Sequence, residues 1–166
     1  PIISHKNVRI RQSEIHMAYG GIYPFLQNFN VPAHDKDELP TITYESKMVL
    51  HEGDETIIIY YFGDGHTDGD SIIKFEEANV VHTGDSFIRY GLPYIDLSNG
   101  GSIKGFIKNL DSIIEICDDD TMIIPGHGVL SKIQDVKDFR DGLNNYYEMS
   151  LKGYKEGLSI DQIAES

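Results

Sequence analysis

D-G-H-T-D-G-D at 64–70 separates two apolar runs, 56–62 and 71–75, and its reading decides how the chain is folded. Runs rich in Ile, Tyr and Phe on either side of a Gly- and Asp-rich stretch are strands flanking a loop, and loops on a rigid scaffold concentrate binding and catalytic side chains. Gly65 and Gly69 offer backbone angles closed to other residues, so His66 can be aimed into a pocket. A histidine beside aspartates fits a metal ligand with carboxylate support and equally an ordinary polar turn. Two further stretches, T-G-D at 83–85 and P-G-H-G at 125–128, each close a short apolar run and give His66 company.

Outward from this loop, β-rich runs at 41–44, 47–50, 71–75 and 79–83 predict strands. The last two face each other across Glu76-Glu77-Ala78 as a hairpin, and the second is expected to stop at Gly84-Asp85. Ser102 caps a helix in which Ile103, Phe106, Ile107, Leu110, Ile113, Ile114 and Cys117 recur at three- and four-residue spacing, one continuous apolar face. Cys117 falls on that face as a core residue rather than a nucleophile. Asp118-Asp119-Asp120 closes the helix as a solvated acidic turn, lacking the alternating spacing of a calcium loop. A short buried strand at 122–124 runs into P-G-H-G. A second long helix is expected from 131 to 153, with Ile133, Val136, Phe139, Leu143, Tyr146 and Tyr147 on one side, and Ser159 caps a short helix at 160–163.

At the other end, 1–4 reads as the end of a strand, and Ser4 as the cap of a weakly amphipathic helix over 5–17. From 18 to 40 the chain turns to Gly, Pro, Asn and scattered aromatics, an irregular excursion or a lid, with His34 a solvated loop residue. No repeat or low-complexity segment interrupts the chain, which is expected to form a single domain over 1–166.

Composition narrows the chemistry. Fourteen Lys and Arg against 27 Asp and Glu give a net charge of −13, which argues against nucleic acid and anionic lipid as partners. Cys117 is the single cysteine, so an intrachain disulfide and a thiolate zinc cluster are both excluded and a metal would need His and carboxylate ligands. No apolar run approaches the ~18 to 20 residues that span a bilayer. The chain opens on Pro1 rather than methionine, so a preceding segment is expected and the localisation is not readable.

Three times, then, a β-rich run ends in a loop delivering His66, Asp85 or His127. In mixed α/β folds such loops converge at one edge of the sheet. Two imidazoles and a carboxylate suit zinc, iron or manganese. His82 falls, by alternation, on the opposite face of its strand from Asp85, and His51 follows a strand end; both are expected to be packed or solvated. Asp68 and Asp70 are expected to stabilise the loop or support a ligand. The segment R-Y-G-L-P-Y-I-D at 89–96 follows Asp85, where Tyr90 and Tyr94 either contact substrate or pack.

G-H-T-D-G-D-S at 65–71, V-V-H-T-G-D-S-F at 80–87, G-G-S-I at 100–103 and I-I-P-G-H-G at 123–128, in this order and spacing, resemble the C-terminal part of the metallo-β-lactamase superfamily. The resemblance is strong over 40–130, with the soluble metallo-hydrolases that include glyoxalase II-like thioesterases as its nearest flavour. It implies an α/β (α+β) fold, an αββα sandwich with helices outside, and a two-ion centre, usually zinc, at one edge. His66 would bind the first ion, Asp85 would bridge both as the catalytic carboxylate, and His127 would bind the second. A carboxylate at 85 sides with the hydrolase branches rather than with the lactamases that use cysteine there.

The chain departs from the family in one respect: it has no H-x-H-x-D-H motif, the family's source of the remaining metal ligands, and His5 and His16 are too isolated to replace it. The resemblance therefore implies a sandwich incomplete at its N-terminal side and a truncated hydrolase, weakly active or inactive by itself, whose complete form cleaves an ester, thioester or similar small substrate. The alternative is a non-catalytic remnant or interaction module that uses exposed sheet edges. Such edges also lead to the expectation of a homo-oligomer.

Overall fold

A computed structural model describes residues 1–18 and 29–165 of the chain. The elements are β1 (Ile3–His5), α1 (Lys6–Gln12), β2 (His16–Ala18), β3 (Phe29–Val31), β4 (Ile42–Tyr44), β5 (Lys47–Glu52), β6 (Glu55–Tyr60), β7 (Ile72–Phe75), β8 (Val80–Ile88), α2 (Ile103–Glu115), β9 (Met122–His127), β10 (Ser131–Lys132), α3 (Ile133–Lys155) and α4 (Ile160–Ala164). Six of the strands form one sheet in the order β10-β9-β8-β7-β6-β5, in which only β8 and β9 are parallel. β1 pairs in parallel with β4, and β2 pairs antiparallel with β3. Among the described residues no helix is long and apolar enough to cross a membrane.

One core holds the sheet to its helices. Ile72, Val81, Phe87 and Ile123 from the strands meet Phe106, Leu110 and Ile113 of α2 and Ile133, Val136 and Leu143 of α3, all buried. At ~1.5–3 kcal/mol for each large apolar side chain removed from water, this cluster outweighs any single polar contact in the molecule. The α2 periodicity is realised as expected: Ser102 accepts the Gly105 amide at 3.2 Å, and Phe106, Leu110 and Ile113 are fully buried. Ile58 and Ile59 are adjacent on β6, point to opposite faces, and are both buried, so the sheet is covered on two sides there. The terminal helix α4 begins with a capping box between Ser159 and Gln162.

Cys117 follows α2 and packs against the core. Burial pushes its thiol up to about 11, against the pull of the Lys74 charge. At pH 8 this leaves roughly 100-fold less thiolate than at the ordinary value of 9.0. Alkylation by iodoacetamide at pH 8 is therefore expected to be slower by about that factor in the native chain than in urea, which mass spectrometry of timed samples will read; equal rates would contradict it. Because the thiol's value is raised by folding, its contribution to stability is full below the ordinary 9.0 and is lost as pH climbs through about 11.

Several boundaries differ from expectation. The first helix stops at Gln12 and is capped by His5, not Ser4; none of its residues is buried, so nothing holds a longer helix to the core. Residues 16–18 extend instead and pair with 29–31. Part of the expected irregular excursion is thus a two-stranded ribbon; 19–28, the rest of its first half, lie outside the described residues. His34 is an exposed loop residue beside Glu38, 3.4 Å away. The third helix begins at Ile133, because Ser131 and Lys132 pair with β9. Tyr146, expected on its buried side, is exposed, since α3 runs past the core after Leu143. Strands β8 and β9 do not stop where expected: β8 continues through Gly84-Asp85 to Ile88 and β9 through Pro125 to His127. Gly84 at φ +51° takes up a bulge, the register shifts on both sides of it, and Phe87 and Ile88 return to the core.

Candidate metal centre

Strand direction gathers the site. β6 is antiparallel to β7, β7 to β8, and β8 is parallel to β9, so β6, β8 and β9 all run the same way. The loop after β6 carries His66, the bulged part of β8 carries Asp85, and the last residue of β9 is His127. All three therefore arrive at one edge of the sheet.

There they meet around a single carboxylate. His66 Nε2 lies 3.5 Å from Asp85 Oδ2 and His127 Nε2 lies 3.4 Å from Asp85 Oδ1, one imidazole on each oxygen. Both separations exceed the ~2.7–3.2 Å of an N–H···O hydrogen bond. They match instead the distance between two donors on one tetrahedral ion with bonds of ~2.0–2.1 Å, about 3.4 Å. Two imidazoles and a carboxylate at these separations are the donor types and spacing that a first-row metal ion accepts. Among the described residues no group of three or more His, Cys, Asp or Glu side chains is placed to hold one ion, whereas catalytic zinc usually has three protein donors.

The support of His66 is specific. Its Nδ1 lies 2.8 Å from the Tyr94 carbonyl, which accepts from it and leaves the Nε2 lone pair facing Asp85. The His66 carbonyl in turn accepts the Asp96 amide at 2.9 Å. Burial works to raise the Asp96 carboxyl, but hydrogen bonds from Ser98 and Asn99 prevail and hold it below the ordinary carboxylate value. The Tyr90 ring meets His127 edge-on with centroids 5.5 Å apart, and the Tyr94 ring stands at 6.0 Å from His66.

Asp68 and Asp70 stabilise the loop, one of the two roles expected of them. Asp70 accepts the Thr67 amide at 3.0 Å and its hydroxyl at 2.5 Å; burial nevertheless raises its carboxyl above the ordinary value. Asp68 pairs with Arg11 of α1 at 2.6 Å, and its carbonyl accepts from Asn7 at 2.9 Å. Gly65 and Gly69 have no left-handed angle; they are small because neighbours are close. A Cβ on Gly65 would lie 2.5 Å from Asn109 Nδ2, and one on Gly69 would lie 2.6 Å from Val8 Cγ2. His82 takes no part in the site, its Nδ1 accepting the Gly84 amide at 3.1 Å, and His51 is exposed on β5. His5 is buried, stacked on Tyr61 at 3.8 Å, and is a packing residue.

Sequence reasoning missed Arg11, Asn7 and Asn109. Asn109 is fully buried and donates to the carbonyls of Gly63 and Asp64, fixing the root of the His66 loop to α2. Its signal was present: it sits between Phe106 and Leu110 on an otherwise apolar stripe, where a polar residue needs a buried partner. Arg11 and Asn7 left no such mark.

The fold is that of the metallo-β-lactamases. The BLEG-1 B3 metallo-β-lactamase superimposes with a TM-score of 0.64 at 19% identity, over 86% of this chain and 65% of its own. The metallo-β-lactamase from Pontibacter korlensis gives 0.56 at 14% identity, over 64% of this chain and 50% of its own, and the DIM-1 metallo-β-lactamase gives 0.55 at 17%, over 65% and 50%. The chain therefore spans between half and two-thirds of the length of these structures, as a C-terminal part of the fold would. No family model matches the chain, and no curated protein matches it in sequence.

Proposed function

We propose that this chain carries part of the metal-binding machinery of a zinc-dependent hydrolase acting on an ester, thioester or similar small substrate. The observation that carries the reading is the pair of contacts at Asp85, one imidazole on each carboxylate oxygen at ion-sharing distance. His66, Asp85 and His127 would hold the metal, with iron or manganese as alternatives that the same donors suit. A bound metal pair supplies a Lewis acid for the scissile carbonyl and lowers the pKa of a bound water. The chain's own contribution is positional: the Tyr94 carbonyl fixes the His66 ring, and the bulge at Gly84 presents the Asp85 carboxylate between the two imidazoles.

With two donors for each ion, the 166 residues alone are expected to bind zinc substoichiometrically and to hydrolyse weakly or not at all. Metal analysis after dialysis against zinc, with and without chelator, tests this. Asp85→Asn should remove the bound zinc, and His66→Ala and His127→Ala should each lower it. Near-stoichiometric zinc with chelator-sensitive turnover of p-nitrophenyl acetate would overturn the inactive reading. Zinc retained unchanged in Asp85→Asn would overturn the site. The other reading, an interaction module pairing through the sheet edge, has less behind it: β5 exposes Lys47, His51 and Glu52, charged or polar groups of the kind that discourage edge pairing.

A further inference from the structure

We propose that the cleft on the far side of the 89–97 segment takes the apolar tail of the substrate, so that the compound hydrolysed carries an alkyl or aryl group of about six carbons. This rests on the hydrolase reading above. The segment serves both places. Tyr90 stands against His127 and the Tyr94 carbonyl holds His66, while between them Leu92 and Pro93 wall an open cleft of about 180 Å³ lined on its other side by Ile103, Leu143 and Tyr146. Leu92 is two residues from each tyrosine, and two residues of extended chain span at most ~7 Å, so the wall of the cleft and both tyrosines beside the site belong to one short segment.

The lining selects the chemistry. None of the cleft's lining residues is charged, and Ser150 is the one polar residue besides the tyrosine hydroxyls. An anionic tail would approach a chain of net charge −13, against which stands Lys104 Nζ, 5.9 Å over the ring of Tyr147. Leu92 is 63% exposed and Tyr146 60%, large apolar surfaces that a hydrocarbon group would take out of water. Cavities of about 150 Å³ lined by aliphatic and aromatic side chains accept a benzene-sized group, which sets the tail at about six carbons.

The test uses the whole chain, labelled at Ile and Leu methyls and at the histidine nitrogens, with the non-hydrolysable carbonyl compounds 2-butanone, 2-octanone and 2-decanone, before and after zinc. The methyls of Leu92, Ile103 and Leu143 should shift in both states. Affinity should rise about fourfold per methylene from 2-butanone to 2-octanone, whose hexyl group fills the cleft, and level off at 2-decanone. Leu92→Asp and Tyr146→Asp, both at exposed positions, should abolish the chain-length dependence while leaving the remaining methyl spectrum in place. Equal affinities for the three ketones, shifts confined to other methyls, or unchanged binding in the two variants would overturn the inference. So would shifts of the same methyls on raising the protein concentration without ketone, which would assign the cleft to a second copy. The imidazole signals of His66 and His127 report zinc separately: if they do not move, the metal reading fails and takes the substrate assignment with it, whatever the cleft methyls show.

Discussion

Gly126→Ala is expected to abolish zinc binding and to destabilise the chain by about 2–3 kcal/mol, more than its single added methyl group would suggest. A Cβ at 126 would lie 2.1 Å from Asp85 Oδ1, 2.6 Å from the Gly84 carbonyl carbon and 2.7 Å from its oxygen. The Asp85 oxygen alone could rotate away, since it ends a side chain. The Gly84 backbone cannot, because it belongs to the bulge that β8 makes against β9 in the middle of the sheet. Relief by side-chain rotation removes the carboxylate from between the imidazoles; relief by strand separation strains the β8–β9 pairing. Either route costs the site. Urea unfolding combined with metal analysis separates the two: lost zinc with unchanged stability means the carboxylate moved, and lost zinc with a lower midpoint means the strands moved. A variant that keeps both the midpoint and the zinc of the original would show that the close approach at 126 has no role.

This crowding explains why the candidate site was legible in part. His66, Asp85 and His127 stand out because each follows an apolar run and sits beside glycine, and their convergence follows from three strands running the same way. Conformational freedom, the expectation for Gly65 and Gly69, is not what they use, whereas Gly84, expected only to end a strand, takes φ +51°. What those two require is space, a property of neighbours such as Asn109 and Val8 that lie far along the chain. The strand ends failed for a related reason. Glycine and proline ordinarily close a strand, yet Gly84 faces Pro125 across the parallel β8–β9 pair, so two breakers opposite one another form a bulge through which both strands continue. The long helices were readable because their apolar spacing is a local property. The first helix was overextended because a weak apolar pattern cannot say where contact with the core ends, and Arg11 and Asn7, which brace the loop from that helix, carry no periodic signal at all.

Gly105→Ala sets propensity against packing. In a helix interior, alanine is favoured over glycine by about 1 kcal/mol, and Gly105 lies in the first turn of α2 with nothing unusual in its backbone. On that ground the substitution would stabilise. A Cβ there, however, would lie 1.9 Å from the carbonyl oxygen of Asp64 and 2.9 Å from its carbon, both backbone atoms of the His66 loop. No rotamer relieves such a contact; α2 must lift away from the loop. Lifting it strains the Ser102 amide bond to the Gly65 carbonyl and the Asn109 bonds to Gly63 and Asp64, contacts that tie the loop to the helix. It also loosens Phe106, which is fully buried one residue on. A net loss of roughly 2–4 kcal/mol is expected, with the steric cost exceeding the propensity gain severalfold. At that size the urea midpoint should fall well outside error, and hydrogen exchange should accelerate first at the amides of Gly65 and Ser102, before the centre of the sheet. A variant as stable as the original, or one whose exchange quickens uniformly, would mean that α2 does not hold the His66 loop in place, and the orientation of His66 would then rest on the Tyr94 carbonyl, the Asp96 amide and the loop's bonds to α1.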